Sequence, residues 1–219
     1  IINFSDKKII KEIIHKKKFS SKKNHYQNFL LKKVFDNNNL RNVNYNNVSI
    51  NTKTIKKNDL FFAIRGKKTD GHKFVREAIK KGAIKSIISK KIKQLSKNKI
   101  IKVKNTFSSL NDLAKVTRDN TSAKIIGITG SVGKTTLKNL IGFALKNYGK
   151  VYQSPHSYNN KFGVPLSLSN LKRNTEYGIF EIGMDKKGEI DNLSKIVKPE
   201  IAIITNISGA HFKNFNTLK

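Results

Sequence analysis

Cysteine is absent from the 219 residues. That excludes a disulfide framework, a thiolate metal site and a thiol nucleophile. Arginine is scarce as well: five residues against 40 lysines. A protein that reads base sequence leans on the planar guanidinium fork, so this chain is not expected to recognise a specific nucleic acid. No apolar run exceeds Leu60-Phe61-Phe62-Ala63-Ile64, far short of the ~18–20 residues that cross a bilayer. Residues 1–20 alternate isoleucine with lysine, without the unbroken apolar stretch of a secretory signal. Nor is Ile1–Phe19 rich in the arginine and serine of a transit peptide. These absences predict an intracellular, soluble, globular chain without membrane insertion.

Lysine, asparagine and isoleucine fill the space. There are 26 Asn and 28 Ile, and the net charge is +31. All three types have A/T-rich codons, which makes drift in base composition one source of the charge; the charge also predicts nonspecific adhesion to polyanions. Residues 1–121 carry 31 basic and 8 acidic side chains, against 14 and 6 in 122–219.

Pattern divides the chain in three. Segment 1–47 is basic and weakly marked, with helix-like spacing at Ile9, Ile10, Ile13 and Ile14 and a second helix over Tyr26–Phe35. Within 48–121, strands are expected at Leu60–Ile64, Ile84–Ile88 and Ile100–Val103. Helices are expected at His72–Lys81, stopped by Gly82, and at Thr106–Asp119. Within 122–219 the predicted strands are Ile125–Ile128, Val151–Gln153, Tyr177–Ile182 and Ile201–Thr205. Helices are predicted at Thr135–Tyr148, from Pro165 to about Leu171, and at Gly188–Val197. Strand–helix alternation of this kind predicts α/β units with a mainly parallel sheet, whose ligands sit at the strand ends.

One turn carries a strong chemical signal. Gly130-Ser131-Val132-Gly133-Lys134-Thr135-Thr136 follows a predicted strand and opens a predicted helix. Glycines let such a turn bring N–H groups against phosphate oxygens, and the helix points its positive end at the same anion. Lys134 would reach the β- and γ-phosphates, and the Thr135 hydroxyl would hold Mg²⁺. The general phosphate-loop pattern has glycine at the position of Ile128, and a chance glycine turn is the alternative. Asn159-Asn160 reads either as a polar loop or as a pair of carboxamides orienting phosphates or a substrate carboxylate. Glu181, ending an apolar strand, is either solvated or paired, or else linked to a metal. His211 is either a surface loop residue or a ligand.

Taken together these stretches resemble a known family. They are Ile128-Thr129-Gly130-Ser131-Val132-Gly133-Lys134-Thr135-Thr136, Tyr158-Asn159-Asn160-Lys161-Phe162-Gly163-Val164-Pro165, Glu181-Ile182-Gly183-Met184, Thr205-Asn206-Ile207 and Ala210-His211. In order and spacing they look like the Mur ligases of peptidoglycan synthesis. Upstream, Asp59–Gly66 and Asp70-Gly71-His72 resemble that family's N-terminal domain, which holds the UDP end of the substrate. The resemblance implies a small N-terminal α/β substrate domain over 48–121 and part of a central ATP-binding domain over 122–219.

What it implies chemically is ATP-dependent amide formation. Within the family the likeness is greatest to the branch that adds D-alanyl-D-alanine to UDP-N-acetylmuramoyl-tripeptide through an acyl phosphate. Lys134, Glu181 and His211 would then be catalytic. Thr135, Glu181 and His211 would serve Mg²⁺, while Gly130 to Thr136, Asn159 and Asn160 would hold ATP. The resemblance further implies a cytoplasmic enzyme, monomeric when complete. Two departures stand out. Asn51 and Lys53 occupy positions where the family has an acid and an arginine. The resemblance also stops at Lys219, before the family's carbamylated lysine and C-terminal domain, which leads to the expectation of a truncated or split ligase, inactive alone. The alternatives are another Mur-type ligase, an unrelated phosphate-loop NTPase, which would explain only the glycine turn, and a basic nucleic-acid-binding module, which would explain only the charge.

Overall fold

A computed structural model describes residues 23–35, 40, 43–66, 68–156 and 158–208. The chain forms two parallel sheets, each wrapped by helices.

In the first unit the strands are β1 (Val48–Ser49), β2 (Leu60–Phe62), β3 (Lys85–Ile88) and β4 (Ile100–Lys102), ordered β1-β2-β3-β4 and all parallel. β2 reads as an unbroken apolar run because both its faces are covered. Leu60, Phe62 and Ile64 face one cluster with Ile87, Ile101, Leu110 and Leu113, whereas Phe61 and Ala63 face another with Val75, Ala78 and Ile88. The ladder closes at Phe62, but Ala63 still donates its N–H to the Ile87 carbonyl.

The helix expected over His72–Lys81 is divided. Asp70 accepts from the His72 N–H and caps a 3₁₀ turn, Gly71–Phe74, which then opens into α2 (Val75–Lys80). Gly82, at φ +100°, ends it as the sequence predicts, its N–H bonded to the Ile79 carbonyl.

Segment 1–47 contributes more than its pattern promised. Helix α1 (Lys23–Val34) buries Tyr26, Leu30 and Leu31, and these join Phe35, Leu40, Val43 and Tyr45 in the core beneath β2. The spacing at Ile9–Ile14 lies outside the described residues.

Helix α3 (Thr106–Asp119) joins the units. It is capped by Asn105, and it sends Leu110 and Leu113 into the first core and Ala114 into the second. The second sheet contains β5 (Lys124–Thr129), β6 (Val151–Gln153), β7 (Tyr177–Glu181) and β8 (Ile201–Ile204), ordered β6-β7-β5-β8 with every pairing parallel. Helices α4 (Lys134–Leu145), α5 (Gly163–Ser169) and α6 (Glu189–Val197) cover it. α4 stops at Leu145 rather than Tyr148, and the next residues form a turn.

Asn170 clasps one unit to the other. Its Oδ1 accepts from the Val48 N–H at 2.7 Å and its Nδ2 donates to the Val48 carbonyl at 2.9 Å. A single carboxamide thereby completes the backbone pairing of β1, much as another strand would. Among the described residues, no helix is long and apolar enough to cross a membrane.

Candidate functional site

The carboxyl ends of β5 and β7 lie side by side, with Ile128 paired to Glu181. This register brings the glycine turn and the acidic strand end together at the edge where parallel sheets bind ligands.

Two glycines shape the turn. Gly130 has φ +133° and Gly133 φ +82°, both open to glycine at little cost. Gly130 is also packed tightly: a Cβ there would come within 2.1 Å of Thr205 Oγ1. Gly133 is the residue before α4, whose first N–H groups lack intrahelical acceptors and carry the positive end of the helix dipole.

Residues after β8 brace the turn. Asn206 accepts the Ser131 N–H on its carbonyl at 3.1 Å and the Val132 N–H on Oδ1 at 3.0 Å. Thr205 Oγ1 donates to the Val132 carbonyl at 2.6 Å. Lys134 folds back over the loop, donating to the carbonyls of Gly130 at 2.5 Å and Ser131 at 3.1 Å. Its ammonium thus lies over the cradle, where an incoming anion would meet it. Thr136 is exposed in the first turn of α4.

Glu181 lies at the centre of a buried polar network and is only 2% exposed. Its Oε2 accepts from the Thr135 hydroxyl at 2.7 Å, and its Oε1 accepts from Asn159 Nδ2 at 2.7 Å. Asn159 is fixed in turn because its carbonyl accepts the Gly183 N–H at 2.7 Å. A Cβ on Gly183 would press to 2.9 Å of the Asn159 carboxamide, so that approach requires glycine. Asn160 behaves differently. Its Oδ1 accepts from the N–H groups of Phe162 and Gly163, both at 3.0 Å, capping α5, while the residue still lines the cleft. His211 lies outside the described residues.

The cleft above these groups is about 510 Å³ and runs from Gly130 and Lys134 across Asn159 to Gly183 and Glu189. Lys161 and Lys186 on its walls join Lys134 to make it cationic. Asp185 and Glu189 are the counterweights; the N–H of Asp185, then that of Lys186 and the two lysine ammoniums, hold the Glu189 carboxyl below the usual range against the cost of burial.

Thr135 and Glu181 suit Mg²⁺. Both offer hard oxygens, the donors that this cation prefers.

Sequence reasoning missed Lys138. The residue is buried and donates to the carbonyls of Ser154 at 2.9 Å and His156 at 2.7 Å, with Glu181 Oε2 3.8 Å away. Burial pushes its ammonium pKa down, and the Glu181 carboxylate opposes that shift. A signal existed: Lys138 stands three residues after Thr135 and four after Lys134, on the face of α4 that both share.

Residues 128–219 match the model of the Mur ligase middle domain, and residues 44–121 match the Mur ligase family catalytic domain. The UDP-N-acetylmuramoyl-tripeptide–D-alanyl-D-alanine ligase of Rickettsia prowazekii is 45% identical over 177 residues, covering 81% of this chain and 39% of that protein. Its Bacillus subtilis counterpart is 34% identical over 171 residues, covering 78% and 37%. The crystal structure of the MurF ligase of Thermotoga maritima in complex with ADP aligns with a TM-score of 0.67 at 34% identity, over 78% of this chain and 40% of that one. A MurF structure from Acinetobacter baumannii gives 0.74 at 28% identity, over 88% and 42%. The chain therefore spans about two-fifths of the length of the relatives it matches.

Proposed function

The chain belongs to the Mur ligase family, and from that premise we propose that it forms the UDP-substrate and nucleotide-binding part of a cytoplasmic, ATP-dependent ligase. In this reading residues 48–121 hold the UDP end of the substrate and 122–219 hold ATP. The reaction joins D-alanyl-D-alanine to UDP-N-acetylmuramoyl-tripeptide, the chemistry that names the relatives. The observation that carries it is the junction of Lys134, Thr135, Glu181 and Asn159 at the end of one glycine turn.

The steps follow from charge. The terminal carboxylate of the tripeptide attacks the γ-phosphorus of ATP, forming an acyl phosphate and releasing ADP. The amine of D-alanyl-D-alanine then attacks the acyl carbon, inorganic phosphate leaves and the amine loses a proton. Lys134 swings from the loop carbonyls to the phosphoryl oxygens, so one ammonium exchanges two neutral acceptors for an anionic one. The N-terminus of α4 presents fixed donors to the same group, and Asn159 keeps Glu181 in place. Thr135 and Glu181 would hold Mg²⁺, which when bound withdraws charge from the transferring phosphoryl group.

Titration calorimetry of the 219-residue chain with ADP and Mg²⁺ tests this. Binding is expected in the wild type and a loss of about 100-fold in Lys134→Ala, the order of one charge-stabilising contact, with an unchanged melting temperature. Equal binding by both would remove the nucleotide assignment. UDP-N-acetylmuramoyl-tripeptide should slow hydrogen exchange within 48–121, and no protection there would remove the substrate assignment.

A further inference from the structure

Lys138 is a buried charge that the proposed chemistry leaves unused. Its side chain is 2% exposed, yet it projects from the helix that starts at the phosphate loop. Burying an ammonium is costly unless its protons find acceptors. Here Ser154 and His156 supply carbonyls at 2.9 and 2.7 Å, two residues apart on the segment that leaves β6. Turning the second carbonyl inward requires an unusual backbone: His156 has φ +45°, in the left-handed region that a non-glycine residue rarely adopts. Strain of that kind persists only where surrounding contacts hold it.

The same segment reaches the site within a few residues. Ser154 Oγ accepts from the Glu181 N–H at 3.2 Å, and Asn159, three residues beyond His156, donates to Glu181 Oε1. Lys138 also stands 3.8 Å from Glu181 Oε2. One ammonium thus ties together the first helix of the phosphate loop, the segment carrying Asn159 and the carboxylate at the end of β7.

We propose that Lys138 is a positioning residue: by clamping the carbonyls of Ser154 and His156 it sets Asn159 against Glu181, and so fixes the geometry in which Thr135 and Glu181 receive Mg²⁺. This rests on the nucleotide-site reading above. Lys138 touches neither phosphate nor metal in this scheme, and its effect passes through the segment it pins. Lys134 is its opposite, an ammonium on the open side of the loop that meets the ligand directly.

The experiment uses the 219-residue chain as wild type, Lys138→Met and Lys138→Arg. Hydrogen exchange without ligand is read at residues 154–163, and Mg²⁺ titrations of nucleotide binding are run beside it. Lys138→Met should speed exchange at 154–163 by about tenfold or more and leave β1–β4 unchanged. It should raise the half-saturating Mg²⁺ concentration by about tenfold, the scale of losing a group that orients a metal ligand, while binding of magnesium-free nucleotide stays within about twofold. Lys138→Arg, keeping the charge and its donors, should recover part of both effects. If Lys138→Met does not fold, Lys138→Gln/Glu181→Gln carries the exchange measurement, since it removes both buried charges and should still loosen 154–163. Unchanged exchange in a folded variant overturns the proposal, as does faster exchange with an unchanged Mg²⁺ requirement. A wild type that binds no nucleotide defeats the earlier reading instead, and the exchange result then decides whether the clamp exists.

Discussion

Thr135 and Glu181, 46 residues apart, share a hydrogen bond of 2.7 Å that joins the first turn of α4 to the end of β7. The hydroxyl donates, so the carboxylate oxygen it approaches is already aimed at the place where the phosphate loop would meet a cation. Glu181 is buried while Thr135 is half-buried, and the second carboxylate oxygen is held by Asn159.

Glu181→Gln should therefore separate two effects. Losing the negative oxygen is expected to raise the Mg²⁺ needed for half-maximal nucleotide binding by at least about tenfold. It also strips Lys138 of its nearby countercharge, which should lower stability by roughly 2–4 kcal/mol. Denaturant melts beside Mg²⁺ titrations read both; a stable variant with unaltered metal dependence would contradict the site.

Gly130→Ala tests the turn itself. With φ at +133° and Thr205 Oγ1 only 2.1 Å from the added carbon, both the backbone and its neighbour must move. A loss of about 1–3 kcal/mol is expected, together with weaker ADP binding in calorimetry. Normal binding at normal stability would show that the loop has another resting shape.

The clasp between the units is open to test through Asn170→Ala. It leaves the Val48 N–H and carbonyl without their partner, at a cost of about 1–3 kcal/mol. Amide exchange at Val48 should accelerate. An unaffected Val48 would mean that the packing of α3 and α5, not the carboxamide, holds β1 in place.

Acidity should report on Asp70. Its carboxyl accepts from Lys90 Nζ at 2.8 Å and from the His72 N–H at 3.1 Å. The bond to Lys90, then those to His72, hold its pKa well below the usual range despite partial burial. A pKa lowered by folding adds stability above the unfolded value, about 4, and that stability fades as pH falls toward the folded value. Asp70→Asn keeps an acceptor for the His72 N–H but loses the charge facing Lys90, so it should cost roughly 0.2–1 kcal/mol at neutral pH, the worth of an exposed ion pair. The gap to wild type should narrow steadily below about pH 4; a gap independent of pH would remove the ionic contribution.

Much of the site is written locally. Gly130, Gly133, Lys134 and Thr135 act through one turn and the helix that follows, so a few consecutive residues announce their chemistry. Glu181 was visible as a carboxylate closing an apolar strand, although both paired and metal-linked readings were open. Asn160 shows the limit of such reading, because a carboxamide beside a phosphate site and one that caps a helix look alike until their donors are placed. The core role of Tyr26 to Tyr45 was obscured for another reason. Its apolar residues are scattered among lysine and asparagine, and only packing beneath β2 gathers them.

By itself the sequence determined most strands and helices to within a few residues, and it marked the glycine turn that opens α4. Those outcomes depend on backbone angles and on side-chain periods spanning a few residues. Tertiary structure alone decided the neighbours. The order β6-β7-β5-β8 and the register of Ile128 with Glu181 set a carboxylate against Thr135 and drew Lys138 to two distant carbonyls. Such meetings arise when separate apolar surfaces leave water together, and no short stretch of chain encodes which surfaces those will be.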